Sequence, residues 1–143
     1  MITGIAHVAF RVTDFEPALD FYCTKLGFRE AFRLEREGET SPWIVYIQVA
    51  AGCFLELFPG AREVESTPDR VAGYDHFSLS VDDMKATLRA LIDRGVPVNE
   101  APSMGLDGNW QYWLTDPDGN RIELMQIVPE SPQAAAEAGW GSN

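Results

Sequence analysis

Apolar residues alternate with other residue types in two short segments of the chain, residues 5–12 and 74–81. Val8, Phe10 and Val12 in the first segment, and Phe77, Leu79 and Val81 in the second, alternate with one histidine and with small or charged residues. A period of two predicts a β-strand with one apolar face. An aspartate follows each segment, Asp14 in the first case and Asp83 in the second, at a position suited to a helix N-cap.

A helix and three further strands are predicted after each of these aspartates. Apolar residues recur at helical spacing and stop at Gly27 and at Gly95, residues that commonly end helices. The DPDGN sequence at residues 116–120 predicts a tight turn. The further strands are expected at residues 28–36, 43–50 and 53–59 and at residues 97–103, 110–115 and 120–128.

The two series of elements are copies of one unit. His7 matches His76 and Asp14 matches Asp83 at the same offset, whereas Gly27 matches Gly95 at an offset one residue shorter. One residue has therefore been lost within the second helix or at its exit. Farther along, the sequence FLEL matches RIEL, so that Glu56 corresponds to Glu123.

The repeat predicts an α+β fold of two tandem βαβββ modules that form a curved eight-stranded mixed sheet or a pair of half-barrels. A single domain is expected at residues 1–128. Its parts are modules at 4–60 and 73–128 and a connector at 61–72, and a tail at 129–143 is either weakly helical or loose.

Composition excludes several classes of partner. The 143 residues are 45% hydrophobic and 23% charged, and 11 Lys and Arg against 22 Asp and Glu give a net charge of −11. Nucleic acid and anionic membrane attract basic surfaces, so neither is expected as a partner. No apolar run reaches the ~20 residues of a membrane span, and the start does not resemble a secretory signal. We expect a cytoplasmic protein whose two cysteines, Cys23 and Cys53, are buried free thiols.

Four ionisable residues on predicted strands are the candidate site: His7, Glu56, His76 and Glu123. The chain contains no other histidine, and both glutamates are flanked by apolar residues. A carboxylate buried without a partner costs several kcal/mol even after relaxation. Two imidazoles and two carboxylates, one pair from each unit, could surround one divalent cation, whose charge the carboxylates would neutralise. The sequence therefore predicts a metal site, and the donor set suits Zn²⁺ or Ni²⁺, and equally Co²⁺ or Mn²⁺, without choosing among them.

These residues stand in motifs that resemble the vicinal oxygen chelate superfamily, in particular its glyoxalase I (lactoylglutathione lyase) branch. The motifs are HVAFRVTD, FLELF, GYDHFSLSVDD and DPDGNRIELMQ, and the likeness covers residues 4–127. The resemblance implies paired βαβββ modules, a metal held by one His and one Glu from each, and a homodimer. In many short relatives modules of two subunits build the site. Glu56 favours the glyoxalase I branch, because other branches of the superfamily use a different set of metal-binding residues.

The resemblance also implies a reaction. A hemithioacetal of methylglyoxal would be isomerised to a 2-hydroxyacyl thioester through an enediolate that the metal stabilises. A carboxylate must remove the C–H proton. By resemblance Glu123 is the first candidate for this base, and Glu56 is the second acid or base.

The resemblance to glyoxalase I is less complete at the residues that would contact the substrate. Arg11 shares the strand parity of His7 and matches an arginine that contacts a glutathione carboxylate in glyoxalase I. Trp110 is the preferred aromatic lining for the substrate pocket. Two contacts that the family tends to have are missing: Pro59 and Gly60 occupy the place of an asparagine, and residues 101–109 contain no Lys or Arg. Whether the small-molecule substrate is a glutathione adduct stays open.

Two alternatives to a glyoxalase reaction remain. One keeps the metal and changes the reaction to an epimerisation or another lyase step on a small hydroxy-carbonyl compound. The other is a non-catalytic protein that binds a drug or metabolite, as resistance proteins of this superfamily do. Metal content separates the second alternative from the two enzyme hypotheses.

Overall fold

The first strand of each half of the chain pairs in parallel with the last strand of the same half. The computed structural model describes residues 4–62 and 73–139. The strands are β1 (His7–Arg11), β2 (Arg29–Leu34), β3 (Ile44–Ala50), β4 (Cys53–Phe58), β5 (His76–Ser80), β6 (Ser103–Met104), β7 (Trp110–Thr115) and β8 (Arg121–Gln126). They form two sheets of four strands, in the order β1-β4-β3-β2 and β5-β8-β7-β6. The parallel pairs are β1–β4 and β5–β8.

Each sheet belongs to one compact unit, Met1–Ala72 or Gly73–Asn143. The helices are α1 (Phe15–Leu19), which continues as a π-helical segment (Asp20–Lys25), α2 (Met84–Asp93) and α3 (Pro132–Ala138). The predicted α+β class and the repeated βαβββ order are therefore confirmed. Most of the predicted connector, at residues 63–72, lies outside the described residues.

The predicted N-caps hold both repeated helices. The side chain of Asp14 accepts a hydrogen bond of 3.1 Å from the backbone N–H of Glu16. Asp83 accepts one of 2.9 Å from Ala86. These bonds satisfy N–H groups that have no partner inside the helix.

The missing residue of the repeat has a structural counterpart. The first unit carries one residue more between its helix start and Gly27, and it is there that α1 widens into the π-helical segment. The N–H of Leu26 reaches back five residues to the carbonyl of Phe21 at 2.9 Å. A π-turn accommodates one added residue without moving the ends of a helix. Gly27 and Gly95 can therefore end the two helices at equivalent places, both with φ near +80° (81° and 80°).

Strand β6 is the element that differs most from the prediction. A strand was expected at residues 97–103, but only Ser103 and Met104 pair with β7. Pro97 and Pro102 lack the N–H that a sheet ladder requires, so regular pairing is confined to the residues after them. A cavity of about 410 Å³ lies here, lined by residues that include Glu100 and Trp113.

One face of each sheet, together with the helix of its unit, supplies the core. In the first unit Tyr22, Ile47 and Leu57 are fully buried, and the Tyr22 ring lies 5.8 Å from that of Phe10. In the second unit the core includes Met84 of α2 and Ile122 of β8. The alternation of apolar residues along the strands predicted which face is buried, because successive side chains of a strand point to opposite faces of the sheet.

Both cysteines are free, but the expectation that both are buried is wrong for Cys53, which is exposed, and only partly right for Cys23. Cys53 begins β4 directly after the turn at Gly52, where the strand has not yet entered the core. Over residues 4–62 and 73–139, no helix has the length and hydropathy needed to cross a membrane.

The tail is helical where the structure describes it. Ser131 caps α3 by accepting a hydrogen bond of 3.2 Å from Ala134. Asn109, which is completely buried, accepts a hydrogen bond from the N–H of Val128 at 2.9 Å and donates to Gln133 at 3.3 Å. This side chain ties the loop before β7 to the exit of β8 and to α3, which the sequence did not predict.

Asp116 organises the turn between β7 and β8. Its Oδ1 accepts hydrogen bonds from the backbone N–H groups of Asp118 and Asn120, at 3.0 and 2.8 Å. Its Oδ2 accepts a third from the Asn120 side chain at 2.9 Å. Asp116 is only 4% exposed.

We expect Asp116→Ala to lower the free energy of unfolding by about 1–3 kcal/mol, because partly buried N–H donors lose their acceptor. Urea denaturation measures the change. Asp93→Ala, at the exposed end of α2, is the matched control and should change stability by less than about 0.5 kcal/mol. Equal stability of the two variants would show that the turn does not depend on this carboxylate.

Candidate metal centre

His7 and Glu56 come together on one face of the first sheet. The register of β1 and β4 pairs Ala9 with Glu56, and His7 shares the face of Ala9 because it lies two residues away. His7 Nδ1 lies 3.4 Å from Glu56 Oε1. Glu56 is only 6% exposed. The imidazole is thus the basic group beside a buried carboxylate.

His76 and Glu123 repeat this arrangement in the second sheet. Strands β5 and β8 pair Ser78 with Glu123, which places His76 on the same face. His76 Nε2 lies 3.4 Å from Glu123 Oε2, and Glu123 is only 4% exposed. Each unit therefore offers one imidazole nitrogen and one carboxylate oxygen side by side.

An aromatic side chain lies beside each pair, at equivalent positions of the repeat. Tyr46 of β3 is the register partner of Glu56, and Trp113 of β7 is the register partner of Glu123. The Tyr46 ring is 6.5 Å from that of His7, and the Trp113 ring is 4.7 Å from that of His76, both edge to face. The sequence favours Trp110 as the aromatic of the site, whereas the register of β7 and β8 places Trp113 opposite Glu123.

The two aromatics act differently on their glutamates. The Tyr46 hydroxyl donates a hydrogen bond to Glu56, and this bond raises the pKa of Tyr46 because the neutral phenol is the donor. Trp113 occupies the same place in the second unit and has no hydroxyl to offer Glu123. The carboxylate of the first unit is consequently held by one hydrogen bond more from its neighbouring strand.

A second carboxylate contacts His76 through the ring nitrogen that faces away from Glu123. Asp75 Oδ2 is 2.6 Å from His76 Nδ1, the ring nitrogen that points away from Glu123. The hydrogen bond with His76, and then the charge of Arg121, lower the pKa of Asp75. Asp75 and His76 both stand in the GYDHFSLSVDD motif, but only the distance of 2.6 Å between their side chains shows that they interact.

The donor set of each pair fits a divalent transition metal. Imidazole nitrogen and carboxylate oxygen bind Zn²⁺ at about 2.0–2.2 Å, so two such ligands of one ion lie roughly 3.0–3.5 Å apart. The separation of 3.4 Å in both units falls in this range. Within residues 4–62 and 73–139, no group of three or more His, Cys, Asp and Glu side chains is close enough to hold a metal ion. The joining of the two pairs around one ion stays a prediction.

Comparison with known proteins identifies the family. Residues 4–124 match the Glyoxalase/Bleomycin resistance protein/Dioxygenase superfamily. The chain belongs to this superfamily.

Two curated relatives with different activities match most of the chain. A probable lactoylglutathione lyase of Synechocystis sp. is 29% identical over 125 residues, which are 85% of this chain and 94% of that protein. A catechol-2,3-dioxygenase of Bacillus subtilis is 28% identical over 133 residues, 90% of this chain but only 43% of its own length. A solved superfamily structure from Sphaerobacter thermophilus is 29% identical with a TM-score of 0.64, and the match covers 88% of this chain and 98% of that one. The superfamily hosts several chemistries, so the reaction must be argued from the site.

The two substrate-binding candidates of this superfamily member lie on different strand faces. Arg11 shares the face of His7 and Glu56, and its guanidinium lies 3.5 Å from the carbonyl of Pro59. Trp110 pairs with Gln126 and has the parity of the buried residues of β7, opposite to that of Trp113. Trp113 is therefore the tryptophan beside a His–Glu pair, and the role of Trp110 stays a prediction.

Replacing either buried glutamate by glutamine should stabilise the metal-free protein. A buried carboxylate has lost its hydration, and the amide removes that cost while keeping the shape. We expect Glu56→Gln and Glu123→Gln each to raise the free energy of unfolding by about 1 kcal/mol, measured by urea denaturation in the presence of a chelator. The exposed Glu130→Gln is the control and should have no effect. Destabilisation by both buried substitutions would mean that the carboxylates are structural.

Proposed function

We propose that this superfamily member is a metal-dependent lyase of the glyoxalase I type, which converts a hemithioacetal of methylglyoxal into a 2-hydroxyacyl thioester. The observation that carries the proposal is the His–Glu pair at equivalent positions of both units, with each glutamate buried and 3.4 Å from its imidazole. A protein that only binds a small molecule has no use for two buried carboxylates, which cost stability.

The proposed metal ligands are His7 and Glu56 from one unit and His76 and Glu123 from another. The two units belong to one chain or to the two chains of a proposed homodimer. Zn²⁺ and Ni²⁺ are the proposed ions, and Co²⁺ and Mn²⁺ suit the same donors. Two carboxylates neutralise a divalent ion, which accounts for why both can be buried.

The reaction moves one proton from the carbon that carries the thiol sulfur to its neighbour, moves the hydroxyl proton from one oxygen to the other, and needs no redox cofactor. A bound divalent ion would supply Lewis acidity toward the two vicinal oxygens of the substrate. A side-chain base takes the proton from the carbon that carries the thiol sulfur, and a proton is then delivered to the neighbouring carbon. A carboxylate beside the substrate oxygens can perform both transfers.

Glu123 is the proposed base, and Glu56 is the second acid or base. The Tyr46 hydroxyl binds Glu56 and restrains its movement. Glu123 has Trp113 in the place of that tyrosine. A base must leave its resting position to reach a carbon-bound proton, and Glu123 is the glutamate with fewer restraints.

The substrate is proposed to bind along the face of Arg11, His7 and Glu56, where Arg11 supplies a cation for an anionic group. The cavity beside Trp113 has one charged lining residue, Glu100. A glutathione adduct, which carries two carboxylates, would find one cation in Arg11. Trp110 is retained as a proposed lining residue.

Purified protein expressed with supplementary metal should contain one divalent ion for each set of four ligands, measured by elemental analysis. Replacement of both histidines, His7→Ala with His76→Ala, should abolish this binding because all imidazole donors are removed. Absence of a stoichiometric ion from the wild-type protein would leave the small-molecule-binding alternative.

Glu123→Gln should lower turnover of the methylglyoxal–glutathione hemithioacetal by about 10²-fold or more, because an amide cannot accept the proton. Formation of the thioester, followed by its ultraviolet absorbance, is the measurement, and Glu130→Gln is the control. A wild-type rate in Glu123→Gln excludes Glu123 as the base. If the metal-loaded wild-type protein is inactive with glutathione, the thiol or the reaction class is different.

A further inference from the structure

Asp75 and His76 are adjacent residues whose side chains form a short contact. Asp75 Oδ2 lies 2.6 Å from His76 Nδ1, whereas the other ring nitrogen, Nε2, lies 3.4 Å from Glu123. An aspartate is a hydrogen-bond acceptor, so the proton on the neutral ring is drawn to Nδ1. In that tautomer the lone pair is on Nε2, the nitrogen that faces Glu123.

Two further side chains, Arg121 and Trp113, lie beside Asp75 and the His76 ring. Arg121, the register partner of His76 on β8, has one guanidinium nitrogen 3.2 Å from the same Asp75 oxygen. Its guanidinium carbon lies 4.4 Å from the centre of the Trp113 ring. Trp113 in turn contacts the edge of the His76 ring at 4.7 Å. The exposed carboxylate thus has a cation beside it, and the imidazole has both a carboxylate and an indole beside it.

The first unit lacks this arrangement. Ala6 precedes His7 where Asp75 precedes His76, and Phe54 is paired with His7 where Arg121 is paired with His76. His7 turns Nδ1 toward Glu56, and the Tyr46 hydroxyl holds the glutamate. In the first unit the additional contact is therefore made to the carboxylate, and in the second unit it is made to the imidazole.

We propose that Asp75 is a positioning residue for metal binding: it fixes His76 as the Nδ1–H tautomer and presents Nε2 as the metal-binding atom. The proposal rests on the proposed metal site. A carboxylate that accepts the distal N–H of a metal-bound histidine orients the ring and increases its basicity, and its loss costs about 10–100-fold in metal affinity.

Metal affinity of three variants tests this role. Competition with a chromophoric chelator for Zn²⁺ or Co²⁺ should show about 10–100-fold weaker binding by Asp75→Ala. Asp75→Asn should lose less, since its amide oxygen still accepts from Nδ1–H but carries no charge. Asp82→Ala removes an exposed aspartate close to the same strand and should bind as the wild type does. Equal affinity of Asp75→Ala and the wild type would overturn the proposal.

The tautomer of the metal-free protein gives a readout that does not depend on activity. Long-range ¹H–¹⁵N spectra in mildly alkaline buffer contain only two imidazoles, because His7 and His76 are the two histidines of the chain. His7→Gln assigns them. His76 should be the Nδ1–H form in the wild type and in Asp75→Asn, and should shift toward the Nε2–H form in Asp75→Ala.

The two measurements separate this proposal from the proposed function. An Nε2–H form of His76 in the wild type, or no change in Asp75→Ala, overturns the role of Asp75 while stoichiometric metal binding still supports the site. A wild-type protein that shows the Nδ1–H form but binds no metal overturns the proposed function, and with it the metal-binding role of Asp75.

Discussion

The burial of a carboxylate in an apolar strand is the constraint on which the candidate site depends. Glu56 and Glu123 lie on the central strands β4 and β8 with apolar neighbours on both sides along the chain. Burial removes their hydration, and only a nearby donor or cation can offset that cost. The parallel pairing of β1 with β4 and of β5 with β8 delivers an imidazole to each at 3.4 Å. The βαβββ topology thus creates the pair, because it makes the first and last strands of a unit neighbours.

Duplication has produced two pairs of the same kind with different surroundings. Tyr46 and Trp113 occupy equivalent positions, yet only the tyrosine offers a hydroxyl to its glutamate. Asp75 has no acidic counterpart at Ala6. The carboxylate of the first pair therefore has a hydroxyl beside it, and the imidazole of the second pair has a second carboxylate beside it.

Local sequence signals predicted most of the fold because they correspond to local physics. The caps at Asp14 and Asp83 and the helix ends at Gly27 and Gly95 are decided within a few residues. The unequal offset of the repeat placed a difference of one residue within the helix or at its exit, but it did not predict that the first helix would absorb the added residue as a π-turn. Strand β6 was overestimated because residues 97–103 contain two prolines, whose missing N–H groups cannot be replaced inside a sheet.

The sequence by itself determined the repeat, the fold class, the superfamily motifs and the four candidate ligands, because periodicity and matched positions are properties of the chain alone. Only the tertiary structure decided which atoms meet. It brought Asp75 Oδ2 to His76 Nδ1, the Tyr46 hydroxyl to Glu56 and Trp113 to His76. These contacts depend on strand register and side-chain rotamers, which are fixed when the whole sheet packs and leave no signature in the spacing of residues along the chain.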